Sequence, residues 1–308
     1  MKTYPNLFIV GAPKSGTTSL YHYLNQHPDI CIPDKEPRFF IKDTIQNISD
    51  ADPIKPYLLR SSVLNEEDYL NLYKNRTEKI LCDSSTQYLY HYEEVIPKLK
   101  AIGNNKPKIL ILLRNPIDRA FSNYQHNLSS VEDLSFEQAI QEEANRISKG
   151  YNSFWHYLGL SAYANQVKAF QEQFDDVKII FFEQFINDID GSLVEIFEFL
   201  GIDSSFKPSN FLVNKKSTGV PKNKWLNNFL QQISAISFLK DTFYSIIGKE
   251  KTRLLKEIVV RKNLTKSKVL LTEETNNKLK TYFSKDVSML KDLLPSANVN
   301  WLKDGDNS

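Results

Sequence analysis

Across the first two hundred residues, short apolar runs alternate with stretches in which apolar residues recur every three or four positions. The runs at 7–10, 30–32, 79–83, 108–113 and 177–182 are too short for helices and lack the polar alternation of a sheet with one wet face. They predict strands of a parallel sheet buried on both sides. The periodic stretches between them predict helices over 15–27, 116–128, 135–148 and 160–174. Another is predicted over 192–200, stopping at Gly201, a helix C-terminal signal. From Phe206 to Trp225 the pattern dissolves into Lys, Pro, Asn, Ser and Gly. So long an aperiodic stretch reads as a functional loop. Helical periodicity resumes at Trp225, and a last helix is predicted over 273–294, with Thr272 as N-cap, two acids in its first turn and Pro295 beyond its end. Strands alternating with crossover helices predict an α/β fold of three layers around a central parallel sheet, with additional C-terminal helices. No internal repeat divides the chain, so one domain is expected over 1–302, followed by a polar tail over 303–308.

Composition narrows the picture. With 308 residues, 41% hydrophobic and 25% charged, the chain can fill a core, which argues against disorder. Its 39 Lys plus Arg nearly balance 37 Asp plus Glu, leaving a formal charge of +2. Such a balance does not predict a nucleic-acid partner, and any anion site must be local. Cys31 and Cys82 sit at strand-like runs and read as reduced core residues rather than a disulfide framework. The five histidines lack metal-ligand spacing, so no metal is expected. The first strand begins at Leu7, which leaves no room for a signal peptide, and no run reaches the ~18 apolar residues of a membrane span. A cytoplasmic location is the expectation. Between Lys249 and Lys268 eight basic residues face two acids, a solvated helix face or a surface for an anionic acceptor or headgroup. Phe154, Trp155, Tyr157, Leu158 and Leu160 either pack the core or line an acceptor pocket.

The chemistry begins at Gly11-Ala12-Pro13-Lys14-Ser15-Gly16-Thr17-Thr18, which joins the first predicted strand to the first predicted helix. Two glycines let the backbone turn tightly toward an anion, while the free N–H groups and dipole of a helix N-terminus stabilise its charge. The spacing Gly11-x4-Gly16 followed by Thr18 matches an ATP-binding P-loop, but Thr17 stands where that motif has lysine. The lysine is three residues earlier, at Lys14. An ammonium there meets the anion from the loop rather than from the helix, which speaks against an ATP triphosphate with its magnesium. The expected fold is P-loop NTPase-like.

A second motif follows the apolar run 109–113, where Arg114-Asn115-Pro116 leads into a helix carrying Arg119, Ser122 and Tyr124. Open α/β sheets bind ligands outside the carboxyl ends of their strands. Arg114 and Ser122 can point there at one phosphate, and the arginine fork stays charged at any relevant pH. Alone, an arginine after a strand is usually half of an ion pair. With the first loop it implies two separate anion sites.

GAPKSGTTSLYHYLNQHPDI resembles the 5′-phosphosulfate loop of sulfotransferases, and LLRNPIDRAFSNYQH is similar to their 3′-phosphate motif. KEPRFF at 35–40 is similar to the segment carrying the catalytic glutamate in the glycosaminoglycan and bacterial branch. The stretch from Tyr282 to Trp301 resembles that branch's last helix. The resemblance implies 3′-phosphoadenosine 5′-phosphosulfate as donor and no metal. It implies that Lys14, Ser15, Gly16, Thr17 and Thr18 bind the 5′-phosphosulfate and Arg114 and Ser122 the 3′-phosphate. Lys216, Ser217, Thr218 and Gly219 would close over the cofactor as a set. Glu36 would be the general base, its proton affinity raised beside Pro37, Phe39 and Phe40, with Lys14 stabilising the leaving phosphate. The acceptor would be a hydroxyl or amine of a carbohydrate or small molecule, met by Lys35, Arg38, Ser84 and Ser85. Where related enzymes show a lysine that meets glycan acceptors, this chain has Ser84 or Ser85, which counts against a heparan-like polyanion. His126 is a second candidate base. A small-molecule kinase and a nucleotide-binding module without chemistry are the alternatives; Thr17 speaks against the first and Glu36 against the second.

Overall fold

The computed structural model describes residues 2–34, 36–102, 106–209 and 270–303. Five strands among them form a parallel sheet: β1 Leu7–Gly11, β2 Ile30–Cys31, β3 Ile80–Asp83, β4 Lys108–Leu113 and β5 Val177–Phe181, in the order β2-β3-β1-β4-β5. Each lies within one residue of the apolar run that predicts it. Both faces of the sheet are covered, which is why those runs are continuous rather than alternating. From β1, Leu7 and Ile9 pack with Leu20, Leu24, Ile196 and Phe197, while Phe8 and Val10 pack into the opposite layer with Val95, Leu99, Val167 and Phe170. The first layer comes from the Thr17–Leu24 and Ile189–Leu200 helices. The second comes from Tyr92–Ala101, Pro116–Leu128, Ala164–Gln173 and the long Glu273–Leu293 helix.

The helix ends carry physical reasons. Asn115 accepts from the N–H groups of Ile117 and Asp118, and Pro116 occupies the first turn, so Pro116–Leu128 starts where predicted. Thr272 caps Glu273–Leu293 through Thr275 N–H. The single helix expected over 135–148 is two, Phe136–Gln141 and Glu143–Ser148; past the break Glu143 turns inward, its carboxylate accepting from Leu158 and Gly159 N–H. The helix expected from 160 begins as a 3-10 turn at Gly159–Ser161 and becomes α-helical at Ala164. There the Asp286 carboxylate of the last long helix accepts from the N–H groups of Tyr163 and Ala164. Between β2 and β3, where the pattern predicts no element, lie the short helices Lys42–Gln46, Lys55–Ser61 and Glu66–Asn71. Trp155, Tyr157 and Leu160 are core residues, with Phe154 and Leu158 packed against them. Cys31 and Cys82 are free thiols, both buried. No helix among the described residues is long and apolar enough to cross a membrane.

The chain moves to one side of β1 for β2 and β3, then to the other for β4 and β5. That reversal opens a crevice outside the carboxyl ends of the strands at β1.

Candidate active site

The loop leaving β1 is held from several sides. Gly11 lies against the segment after β3: a Cβ there would sit 2.6 Å from Leu89 Cβ and 2.9 Å from the Thr86 carbonyl oxygen. Gly16 has φ +90°, and a Cβ there would meet the Phe182 ring at 2.9 Å, so the position excludes side chains on two grounds. Lys14 itself sits at φ +72°. Ser15 is fully buried between these points, and its hydroxyl has no hydrogen-bond partner among the described residues. Buried hydroxyls are nearly always bonded, so this one is available to a ligand. Thr17 is buried and Thr18 half-buried at the start of the Thr17–Leu24 helix.

Two arginines hold the loop's carbonyls. Arg114, at the end of β4, donates to Lys14 O at 3.2 Å and places its guanidinium 4.7 Å over the Phe182 ring; its Nε is buried without a partner among the described residues. Ser122 lies half-buried two turns into the following helix. Arg119, fully buried, donates to Ser161 Oγ (2.5 Å), Tyr157 O (2.7 Å) and Pro13 O (3.5 Å). Burial pulls its pKa down to about 10, which still leaves it charged at neutral pH. Nothing in the sequence reading gave Arg119 a role. The signal was its place on the inward face with Pro116, Asn123 and Asn127, spaced three or four residues apart.

Glu36 follows β2 in a loop with two left-handed residues, Glu36 at φ +64° and Arg38 at φ +55°. The apolar surroundings expected for its carboxylate are not what it has. Phe39 and Phe40 turn into the core, where Phe39 stacks on Tyr69 at 4.3 Å and Phe40 meets Tyr88 edge-on. The carboxylate instead pairs with the buried Arg38 guanidinium through Oε2 and accepts from Thr86 Oγ1 at 3.2 Å through Oε1. Thr86 therefore touches both Glu36 and, through its carbonyl, the end of β1 at Gly11. Lys35 and the 216–219 set lie outside the described residues.

Beneath this loop sits a buried carboxyl that sequence reasoning missed. Asp83 accepts from Tyr69 Oη (2.8 Å), Tyr88 Oη (3.0 Å) and Ser85 Oγ (2.6 Å). Ser85 Oγ in turn accepts from Arg38 N–H at 2.9 Å, and Tyr88 Oη from Phe40 N–H at 3.2 Å. The network fastens both sides of the Glu36 loop, and it commits the Ser85 hydroxyl inward. Ser84, fully buried, keeps a hydroxyl without a partner among the described residues. Burial pushes the Asp83 carboxyl up from 3.8 to about 6, with the three hydroxyl donors pulling the other way. Its proton therefore favours the folded state below pH 3.8, and that contribution is lost as pH rises through about 6. Roughly two pH units correspond to about 3 kcal/mol. Asp83→Asn cannot titrate, so its unfolding free energy should gain up to about 3 kcal/mol on wild type between about pH 4 and pH 7. A wild-type–variant difference independent of pH, measured by urea unfolding, would refute this.

The histidines do not converge on the crevice. His91, half-buried against Ser153, and His156, buried against Tyr90, are both held by desolvation near a pKa of about 4, hence neutral. His27 lies between Phe197 and Phe206 with its ring tilted to both, and His126 is exposed in the last turn of its helix.

Known proteins resemble this chain in sequence and in fold. The sulfotransferase domain family matches residues 4–291. Human heparan sulfate glucosamine 3-O-sulfotransferase 3B1 is 23% identical over 216 residues, 70% of this chain and 50% of that protein. Mouse bifunctional heparan sulfate N-deacetylase/N-sulfotransferase 3 is 26% identical over 217 residues, 68% of this chain and 23% of that protein. The chain thus spans about half the length of the first relative and less of the second. A sulfotransferase from Alicyclobacillus acidocaldarius shares the fold with a TM-score of 0.73 at 28% identity, covering 98% of this chain and 99% of that one. With a family match running from the first strand into the last long helix, and a solved relative alike over nearly the whole chain, this chain belongs to the sulfotransferase family.

Proposed function

We propose that this chain transfers a sulfuryl group from 3′-phosphoadenosine 5′-phosphosulfate to a hydroxyl or amine of a carbohydrate or small-molecule acceptor. The carrying observation is Thr86, which joins the Glu36 carboxylate to the end of β1 where the anion loop begins. A candidate base and a candidate anion cradle thereby share one residue. The unpartnered Ser15 hydroxyl and the two glycine positions that exclude side chains fit a bound phosphosulfate.

When bound, the donor supplies the sulfuryl group and departs as 3′,5′-adenosine bisphosphate. Loop N–H groups, Ser15 and Thr18 hold the 5′ anion, and Lys14 stabilises the charge that grows on its leaving oxygen. Arg114 and Ser122 hold the 3′-phosphate, with Arg114 also tying the two anion sites together through Lys14 O. Glu36 takes the proton from the acceptor as its oxygen or nitrogen attacks sulfur, and Arg38 and Thr86 fix the carboxylate's direction. Positioning and charge stabilisation carry the catalysis, as in loose phosphoryl transfer.

The bisphosphate should raise the melting temperature far more than AMP, or than ATP with magnesium, at equal concentration. Arg114→Ala should remove most of the advantage over AMP. Equal stabilisation by ATP with magnesium would instead indicate a kinase.

A further inference from the structure

Beside Glu36 a cavity of about 410 Å³ opens between the Glu36 loop and the Lys55–Ser61 helix, lined by Asp34, Glu36, Arg38, Tyr57, Arg60 and Ser62 among others. Its size is at the lower end of the ~300–1,000 Å³ range of small-molecule sites. Tyr57 and Arg60 stand three residues apart on the helix, hence on one face, and Tyr57 exposes 56% of its surface. The Ser62 hydroxyl is buried there without a partner among the described residues.

The charges in this cavity are not equivalent. Arg38 is already paired with Glu36. Arg60 is exposed and makes no ion pair among the described residues, and neither does Asp34. One guanidinium is thus available to an anion, while a second anionic group would meet Asp34. A flat ring can lie on Tyr57, and hydroxyls can donate to Asp34 or bond Ser62.

We propose that this cavity takes the acceptor, a compact ring compound carrying one anionic group, and that Arg60 sets this preference by binding that group while Tyr57 carries the ring. The proposal rests on the sulfuryl-transfer reading, in which Glu36 lies on the cavity wall. Transfer to such an acceptor forms a bond between its oxygen and sulfur, breaks the bond between sulfur and the donor's 5′-phosphate oxygen, sends the hydroxyl proton to Glu36 and leaves the broken bond's electron pair on the departing bisphosphate.

The test compares acid and methyl-ester pairs, 4-hydroxyphenylacetic acid and glucuronic acid with their esters, and a heparan sulfate oligosaccharide. Two quantities are measured: calorimetric affinity for the protein saturated with 3′,5′-adenosine bisphosphate, and kcat/KM for sulfation. At least one acid should bind about tenfold or more tighter than its ester and than the oligosaccharide. Arg60→Gln should collapse the acid-to-ester ratio toward one, acting on KM rather than kcat. Preference for the ester or the oligosaccharide, an equal loss for acid and ester in Arg60→Gln, or no binding of either acid would each overturn the proposal. If the bisphosphate still stabilises the fold in those cases, only the acceptor assignment falls. If it does not, the sulfuryl-transfer reading falls and takes this proposal with it.

Discussion

Glu36→Gln should lower turnover by about 10²-fold or more while affinity for 3′,5′-adenosine bisphosphate stays near wild type. Glutamine keeps the size of the side chain and an oxygen for Thr86 Oγ1, so the loop should retain its path. What disappears is the ability to take a proton, and with it the ion pair to Arg38. Losing that pair leaves a buried guanidinium uncompensated, so melting temperatures must be measured beside turnover. The discriminating result is a loss of kcat in protein that is folded and still binds nucleotide. Turnover within a few-fold of wild type would remove Glu36 from the mechanism. A parallel loss of nucleotide binding would make it a structural partner of Arg38 and Thr86.

Lys14→Ala should cost about 10²- to 10³-fold in kcat, the range for removing a donor aimed at charge that develops during reaction. Lys14 occupies a left-handed backbone position, φ +72°, and alanine there carries a similar conformational cost. The fold should therefore lose little stability, and the loop should stay anchored because Arg114 and Arg119 grip main-chain carbonyls rather than the lysine side chain. Single-turnover measurements on saturated enzyme check this. A drop confined to donor affinity, with the single-turnover rate intact, would assign Lys14 to binding alone.

How far these sites could be read from the sequence depended on how local their causes are. β4 and the Pro116–Leu128 helix emerged with their observed ends because the apolar run, Asn115 and Pro116 act within a few residues of one another. The Gly11–Gly16 loop was legible for the same reason, although the need for glycine at each position comes from Leu89, Thr86 and Phe182, far along the chain. The three short helices between β2 and β3 span too few turns to show a period. Asp83, Ser85 and Thr86 were hardest, since polar residues normally face water and these are buried by mutual hydrogen bonding that no spacing rule announces. In the sequence Asp83 reads as the end of a strand, and Ser84 and Ser85 as acceptor contacts standing in the place of a lysine. The surroundings of Glu36 were misjudged because its left-handed turn sends Phe39 and Phe40 the other way.

The strand order carries a consequence for synthesis. β1 is made first, is buried along its whole length, and lies between β3 and β4, with Leu7 facing Lys108 on one side and Cys82 on the other. At ~5–20 residues per second, on the order of five to twenty seconds separate the translation of Leu7 from that of its β4 partner. During that interval β1 can pair only with β3, once Ile80–Asp83 has been made, and the side that β4 will cover stays open. The nascent chain thus presents the strand that leads into its candidate anion loop with an open apolar edge, and holding it out of aggregates is a task for whatever meets the chain at the ribosome.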